Sequence, residues 1–518
     1  MQVIDFFDKG AALYPNADVV HDGARGWTYS EIQTLTKRIA NALLGAGLTA
    51  RSPVATYTPN HAMGFAAQYG VFRAGTVWVP VNVRNSVEEN IAVLDMLGVE
   101  WMFFHTDFES EIDRIRRALP RIRGFVCLDR ESSHGPSLSH WIERYGPDGD
   151  FIEKGPTDTI AILATSGTTG KPKGVELSNL NWEAMIASYQ MLMPYAETRP
   201  IHLVAAPLTH AAGCFTTSLL SLGATNILLP KPEPLAILET IEKHRVTTMF
   251  LPPTLIYMLL SHPRLRDFEY SSLRYFLYGA APMSVQKLRE ATDVFGPVMC
   301  QTFGQTEALM VITFMTALDH QQALSDPALE RRLWSAGRPG PLANVAIMSD
   351  DGKLLAPGER GEIVCRGNIV MKGYLNNPQA SAEVSAFGWH HTGDIGVTDK
   401  DGFVYLVDRK KDMIISGGFN VYPSEVEQVL WAHPAVKDCA VIGTPHEKWG
   451  EAVTAVIELK EGAAADEATL IQYCKDRLGS VKAPKSIVIT IALPRSSVGK
   501  VLKRELRDQF WQGRERAI

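Results

Sequence analysis

Residues 165–174 read "TSGTTGKPKG", a run of hydroxyl side chains, glycines and lysines that can pack no core and favours no helix. It is flanked by the apolar runs "TIAIL" (159–163) and "GVELS" (174–178), both with strand character. A loop rich in backbone N–H groups, hydroxyls and ammonium groups suits an anion with many oxygens, and phosphate is the commonest such anion. The Walker A pattern G-x-x-x-x-G-K-[ST] fails here: Thr165 stands five before Gly170, and Pro172 follows Lys171. Because a strand and no helix follows, the loop is expected to join two strands and to grip by hydroxyls, amides and lysines.

Around this loop, strand-like runs such as "HLVAAP" (202–207), "NILLP" (226–230) and "TTMFLP" (247–252) alternate with helical stretches such as "EPLAILETIEKHR" (233–245). That alternation means layered α/β structure. After about residue 340 the pattern shifts to short strands with turn signals, the mark of a small β-rich subdomain. Beyond Arg409 a new α+β alternation begins, so a domain boundary is expected at "DRKKD" (408–412).

At 518 residues the chain is too long for one core. Its net charge of −6, without blocks of like charge, argues against nucleic acid as a partner. The start "MQVIDFFDKG" lacks the features of a signal peptide, and no apolar run reaches the ~18 residues of a membrane span, so a cytoplasmic location is expected. The six cysteines form no C-x-x-C pair and read as reduced core thiols.

Three patterns mislead. "GAGLTA" (45–50) fits a dinucleotide fingerprint but follows a helix and precedes a strand, so it reads as a helix end. His210 and Cys214 suggest a thiol nucleophile, yet an apolar setting favours a core cysteine. His390 and His391 lack a third ligand and are expected in a loop leading to "TGD".

The loop has company in "YGAAPM" (278–283), "QTFGQTEA" (301–308), "GWHHTGDIG" (388–396), "DRKKDMIISGGFNV" (408–421) and "LPRSSVGKVLKR" (493–504). In this order the set closely resembles the adenylate-forming superfamily, and within it the acyl-CoA synthetases and aryl-CoA ligases. The resemblance implies an N-terminal AMP-binding domain over 1–408, with its β-rich subdomain at about 340–408, and a mobile α+β domain over 409–518. It implies attack of a carboxylate on the α-phosphorus of ATP, release of pyrophosphate, and capture of the acyl-adenylate by coenzyme A, with Mg²⁺ as helper ion.

The site residues follow by matching motifs. Thr165, Ser166, Gly167, Thr168, Thr169, Gly170 and Lys173 would hold the β- and γ-phosphates. Gly279, Ala280 and Ala281 would lie flat against adenine, with Phe303 beside it, and Thr302 and Gly304 of the same motif would also bind the nucleotide. Thr306 would touch the α-phosphate and Glu307 would hold Mg²⁺. Asp394 would bind the ribose hydroxyls, supported by Arg409. Lys500 matches the catalytic lysine, and Lys411 the hinge. Ser416, Gly417 and Gly418 match the turn that lies along the pantetheine of coenzyme A. The acyl pocket would take His210 at its mouth, Thr254 and Tyr278 along its wall, and Ala211, Ala212 and Gly213 as space beside it. Those positions carry no charge, so a hydrophobic aryl, alicyclic or medium/long-chain acid is expected. Luciferase-like members carry lysines where this chain has Ile415 and Gly417, and no carrier domain follows residue 518, which disfavours luciferase and peptide-synthetase readings. Loading of a carrier protein remains the alternative, and a homodimer is left open.

Overall fold

The computed structural model describes residues 1–23, 25–165, 172–196, 198–495 and 501–511. The chain divides into two units, Met1–Val345 with Cys365–His390, and Ala346–Val364 with His391–Ile518. Of the β-rich segment expected at about 340–408, residues 346–364 and 391–408 are grouped with the C-terminal residues and 365–390 with the first unit.

Two large sheets build the first unit. Among the described residues one has seven strands, in the order Gly373–Tyr374, Lys173–Ser178, Thr159–Thr165, Val77–Pro80, Pro53–Tyr57, Trp101–Phe104 and Gly124–Cys127. Its last five strands are parallel, and Thr159–Thr165 and Lys173–Ser178 form an antiparallel hairpin with Thr165 opposite Lys173. The two strands expected to flank the loop are thus present. The other sheet has nine strands, with parallel neighbours Thr225–Leu228, Ile201–Val204, Thr248–Leu251, Tyr275–Gly279 and Met299–Phe303 at its centre. Their near-continuous Val, Ile, Leu and Phe content fits strands buried on both faces. The helix expected over 233–245 runs Pro234–His244, ended by Arg245 at φ 50°. "GAGLTA" ends the helix Tyr29–Gly45 and turns at Gly47 into Pro53–Tyr57.

In the second unit, a four-stranded sheet uses Asn344–Met348, Gly361–Arg366, His390–Thr398 and Val404–Arg409. A five-stranded sheet follows, with the long antiparallel pair Val436–His446 and Gly450–Leu459 at its heart, covered by Pro423–Trp431 and Glu467–Lys482. Residues on both sides of the expected 408/409 boundary are tied together. Asp408 accepts from the Ser424 N–H at 2.8 Å, Arg360 pairs with Glu425 at 3.0 Å and stacks on Tyr422.

His390 and His391 correct one expectation. They lie in the strand His390–Thr398, not in a loop: this strand sits between Gly361–Arg366 and Val404–Arg409 in the four-stranded sheet, and its Asp394–Thr398 half pairs with the latter. The pleat sends them to different partners: His391 Nδ1 is 3.0 Å from Glu362, and His390 Nε2 is 3.4 Å from Gln305. All six cysteines are free and buried, as expected of core thiols. No helix of the described residues is long and apolar enough to cross a membrane.

Candidate active site

In the first unit, the fold sets two separate motifs side by side. Gly279 lies opposite Thr302 on neighbouring parallel strands, so "YGAAPM" and "QTFG" meet at the C-terminal strand ends where open α/β sheets bind ligands. A Cβ on Gly279 would stand 2.5 Å from the Thr302 carbonyl oxygen, so no larger residue fits that approach. Ala280 then takes φ 67°, the left-handed region that side chains avoid, and such strain collects at functional sites. After Phe303 the chain folds back on itself: Thr302 donates to the Met310 carbonyl at 2.6 Å, and a Cβ on Gly304 would strike Met310 backbone at 2.3 Å. Phe303 is half-buried against a small cluster including Ala184, Ala308 and Ile312. Ala281 and Thr306 are half-buried as well.

Glu307 stands in the same loop. Its Oε1 accepts the Tyr374 hydroxyl at 2.9 Å, and the Lys173 ammonium sits 4.6 Å from the centre of the Tyr374 ring. Tyr374 pairs with Val175 on the edge of the seven-stranded sheet, which brings it to the base of the Thr165/Lys173 hairpin. Burial first, then the Glu307 charge, raises the Tyr374 pKa and keeps its proton available as a donor. Tyr374 was missed at the sequence level, since "KGYLNNP" carries no signal tying it to residues 307 and 173. Ser166, Gly167, Thr168, Thr169 and Gly170 lie outside the described residues, as does Lys500.

His210 caps the short helix Ala211–Thr217, with Nδ1 2.8 Å from the Thr209 carbonyl. Burial lowers its pKa, so the ring is neutral near pH 7. Ala211 is half-buried and Ala212 buried. A Cβ on Gly213 would lie 1.7 Å from the Leu208 carbonyl oxygen, so this glycine serves close packing of helix on turn. Cys214 is buried, and burial pushes its thiol up to about 12, which leaves no thiolate for a nucleophile. Thr254 is half-buried at the start of the helix Pro253–Leu260. Tyr278 is fully buried within a second core cluster, where its hydroxyl meets His320 Nε2 at 2.9 Å and Gln301 at 3.1 Å. The structure thus directs Tyr278 to a buried polar pair and gives it no described contact with His210.

In the second unit, Asp394 and Arg409 face each other across adjacent strands, with Arg409 Nε 2.7 Å from the carboxylate. Asp394 is buried and Arg409 a third exposed, so one side of the pair opens outward. Nearby, Glu362 accepts from the Gly393 N–H and from Lys410, and stands 3.0 Å from His391, which anchors the strand residues before Asp394. Lys411 occupies the turn Lys410–Asp412, where its carbonyl accepts from Arg507 at 3.5 Å. Burial, helped by the neighbouring Arg409 and Arg507, lowers its pKa. Gly417 and Gly418, at φ 59° and 82°, make the tight hairpin between Ile414–Ser416 and Phe419–Val421. Ser416 is buried, and Gly417 donates to the Trp449 carbonyl.

A layered α/β unit with this strand-end site, joined to a smaller α+β unit, defines an adenylate-forming enzyme fold. A model of the AMP-binding enzyme family matches residues 7–375, and one of the AMP-binding enzyme C-terminal domain matches 425–500. The chain belongs to the AMP-binding enzyme family. It is 42% identical over 370 residues to a medium/long-chain-fatty-acid–CoA ligase of Mycobacterium tuberculosis, covering 70% of this chain but only 63% of that relative, less than two thirds of its length. It is 36% identical over 507 residues to a feruloyl-CoA synthase of an Amycolatopsis species, covering 97% of this chain and 98% of the relative. Its fold superposes on the amide bond synthetase of Marinactinospora thermotolerans with a TM-score of 0.88 at 28% identity, over 98% of this chain and all of that one.

Proposed function

We propose that the protein is an ATP-dependent acid–CoA ligase, forming AMP and pyrophosphate, whose substrate is a hydrophobic aryl, alicyclic or medium/long-chain carboxylic acid. The observation that carries this reading is the Glu307 carboxylate, held by Tyr374 beside the Thr165/Lys173 hairpin in a chain of the AMP-binding enzyme family. Both curated relatives reported above are CoA ligases by name, which favours coenzyme A over a carrier protein as acceptor.

In this reading the loop 165–174 and Lys173 hold the β- and γ-phosphates, Thr306 the α-phosphate, and the Gly279–Ala281 backbone with Phe303 the adenine. Asp394, with Arg409 beside it, accepts from the ribose hydroxyls, as an ionised carboxylate does well. Lys500 neutralises charge gathering between the substrate carboxylate and the α-phosphorus. A Mg²⁺ ion fits the donors present: a single carboxylate, with no cluster of three or more His, Cys, Asp or Glu among the described residues, suits an ion that completes its shell from phosphates and water. Bound at Glu307, it supplies charge neutralisation to the polyphosphate. His210, neutral and capping its helix, orients the acid at the pocket mouth, with Ala211, Gly213 and Thr254 as its surroundings and Tyr278, its hydroxyl held by His320, along the wall.

We place the moving-domain boundary at 408/409 and the hinge at Lys411, so that the turn Ser416–Gly418 lines the pantetheine in the second half-reaction. A cytoplasmic location belongs to the same reading. The test is a panel of carboxylic acids with ATP and coenzyme A, scored by AMP release and thiol consumption. Thiol-dependent AMP formation with larger hydrophobic acids, and poor use of acetate, is expected; AMP formation that proceeds without consuming thiol would sink the ligase reading.

A further inference from the structure

Asn60 lies just beyond the strand Pro53–Tyr57 of the seven-stranded sheet, and it is only 5% exposed. Its side chain reaches into the other sheet. The amide nitrogen is 3.1 Å from the Val204 carbonyl oxygen, 3.0 Å from that of Ala206 and 3.0 Å from that of Leu229, so two N–H protons are shared among three acceptors. The amide oxygen accepts the Leu208 N–H at 2.8 Å. One side chain thus satisfies four backbone groups where the strands Ile201–Val204 and Thr225–Leu228 end. The Val204 carbonyl also accepts the Leu229 N–H at 3.0 Å, but an apolar residue here would take this partner from the Ala206 and Leu229 carbonyls and from the Leu208 N–H, and buried backbone groups without partners are costly.

The contacts lead onward to the acid site. Leu208, held by Asn60, presents its carbonyl to Gly213 so closely that a Cβ there would stand at 1.7 Å. The His210 N–H closes the same turn by donating to Pro207 at 3.0 Å. The turn Pro207–His210 and the first turn of Ala211–Thr217 are therefore locked to one another and, through Asn60, to both sheets. Resting on the ligase reading above, we infer that Asn60 is a positioning residue for the acid substrate: it preforms the turn that carries His210, and it does so without touching the part of the site that holds ATP.

The chemistry makes Asn the fitting choice. Aspartate would aim a carboxylate at three carbonyl oxygens, and serine is too short to span from one sheet to the other. The experiment compares Asn60→Ser with the parent enzyme, measuring KM for the preferred acid and for ATP, and the ratio of kcat/KM between a large and a small acid. The acid KM is expected to rise about tenfold, the ATP KM to stay within twofold, and the size ratio to shrink. A general loss of active enzyme would instead lower kcat and leave both KM values alone, and equal rises in both KM values would also overturn the inference. A second measurement needs neither activity nor a folded variant. In the parent protein without ligands, the Leu208 amide is expected to exchange with deuterium as slowly as the core strand amides, and rapid exchange there refutes a preformed turn. Failure of the parent enzyme to make acyl-CoA would refute the ligase reading and leave the exchange result standing.

Discussion

The side chains that shape the candidate site in the first unit are tied mainly by neutral hydrogen bonds. Asn60 binds four backbone groups, Thr302 binds the Met310 carbonyl, and Tyr278 binds His320 deep in the core. The second unit relies on charge. Asp394 pairs with Arg409, Glu362 with Lys410, Lys503 with Glu427 at 2.7 Å, and Arg507 with Asp412 at 3.0 Å. Burial disfavours the Lys503 ammonium, but the Glu427 and Asp408 carboxylates outweigh it and raise its pKa. Directional neutral bonds cost much to break and hold one geometry. A half-exposed pair such as Arg360–Glu425 is worth little singly, so several of that kind can exchange partners at small net cost, whereas breaking a buried pair such as Lys503–Glu427 would strand a charge. In the reading proposed above, the neutral bonds belong to a fixed substrate scaffold, and the pairs wholly beyond residue 408, Lys503–Glu427 and Arg507–Asp412, to the part that would turn about Lys411.

The sharpest test of that division is Lys500→Ala. In the reading proposed above Lys500 supplies a preorganised cation at the reacting phosphate; losing one such cation costs about 3–4 kcal/mol, so adenylation is expected to fall by roughly two to three powers of ten. Thioester formation from supplied acyl-adenylate should persist. Both half-reaction rates, measured on one purified variant, decide it: equal loss in both would remove the separation of roles.

The neutral core of the first unit gives the next effect. His202 and His320 are buried, and burial lowers each pKa to about 4 from an ordinary 6.5. Below 6.5 the unfolded chain takes up these protons while the native protein refuses them, so stability falls as pH drops from 6.5 toward 4. Each histidine contributes on the order of 3 kcal/mol over that interval. Thermal melts across it should show His320→Gln with a shallower slope than the parent; an unchanged slope would show that His320 is protonated in the native state.

Tyr374→Phe removes the donor that orients Glu307. Partners of this kind typically matter by 10–100-fold in metal affinity. The Mg²⁺ concentration for half-maximal adenylation is expected to rise about tenfold, with the acid KM unchanged. An unaltered Mg²⁺ requirement would detach Tyr374 from the ion. The smallest effect belongs to the charged unit: Arg360→Ala, which removes one half-exposed pair with Glu425, should shift the ratio of the two half-reaction rates by no more than about fivefold. A larger shift would mean that this single pair, and not a set of exchangeable ones, holds the domain.

Local signals served the sequence reading well. The hairpin around 165–174, the helix end at Gly45 and the strand "TIAIL" were legible because periodicity, glycines and strand runs act over a few residues. Adjacency across the chain was not. Tyr374 meets Glu307 only after the edge strand Gly373–Tyr374 joins Lys173–Ser178, and Asn60 meets Val204 only when two sheets pack. "HHTGD" read as a loop because its Gly and His carry weak strand preference, whereas a place between the strands Gly361–Arg366 and Val404–Arg409 holds it extended. Tyr278 matches a pocket residue by motif, but the contact of its hydroxyl with His320, 42 positions along the chain, was not legible.

The second unit takes in 346–364, returns the chain to the first unit for 365–390, and resumes at 391. No single cut in the polypeptide separates the two units; three are needed, after 345, 364 and 390. A chimaera made by grafting a relative's C-terminal segment at 408/409 would therefore divide one unit. It would pair a native Arg360 and Asp408 with a foreign Tyr422, Ser424 and Glu425. Exchange of parts among these enzymes must carry those two small patches as a matched set, or supply both sides from the same parent.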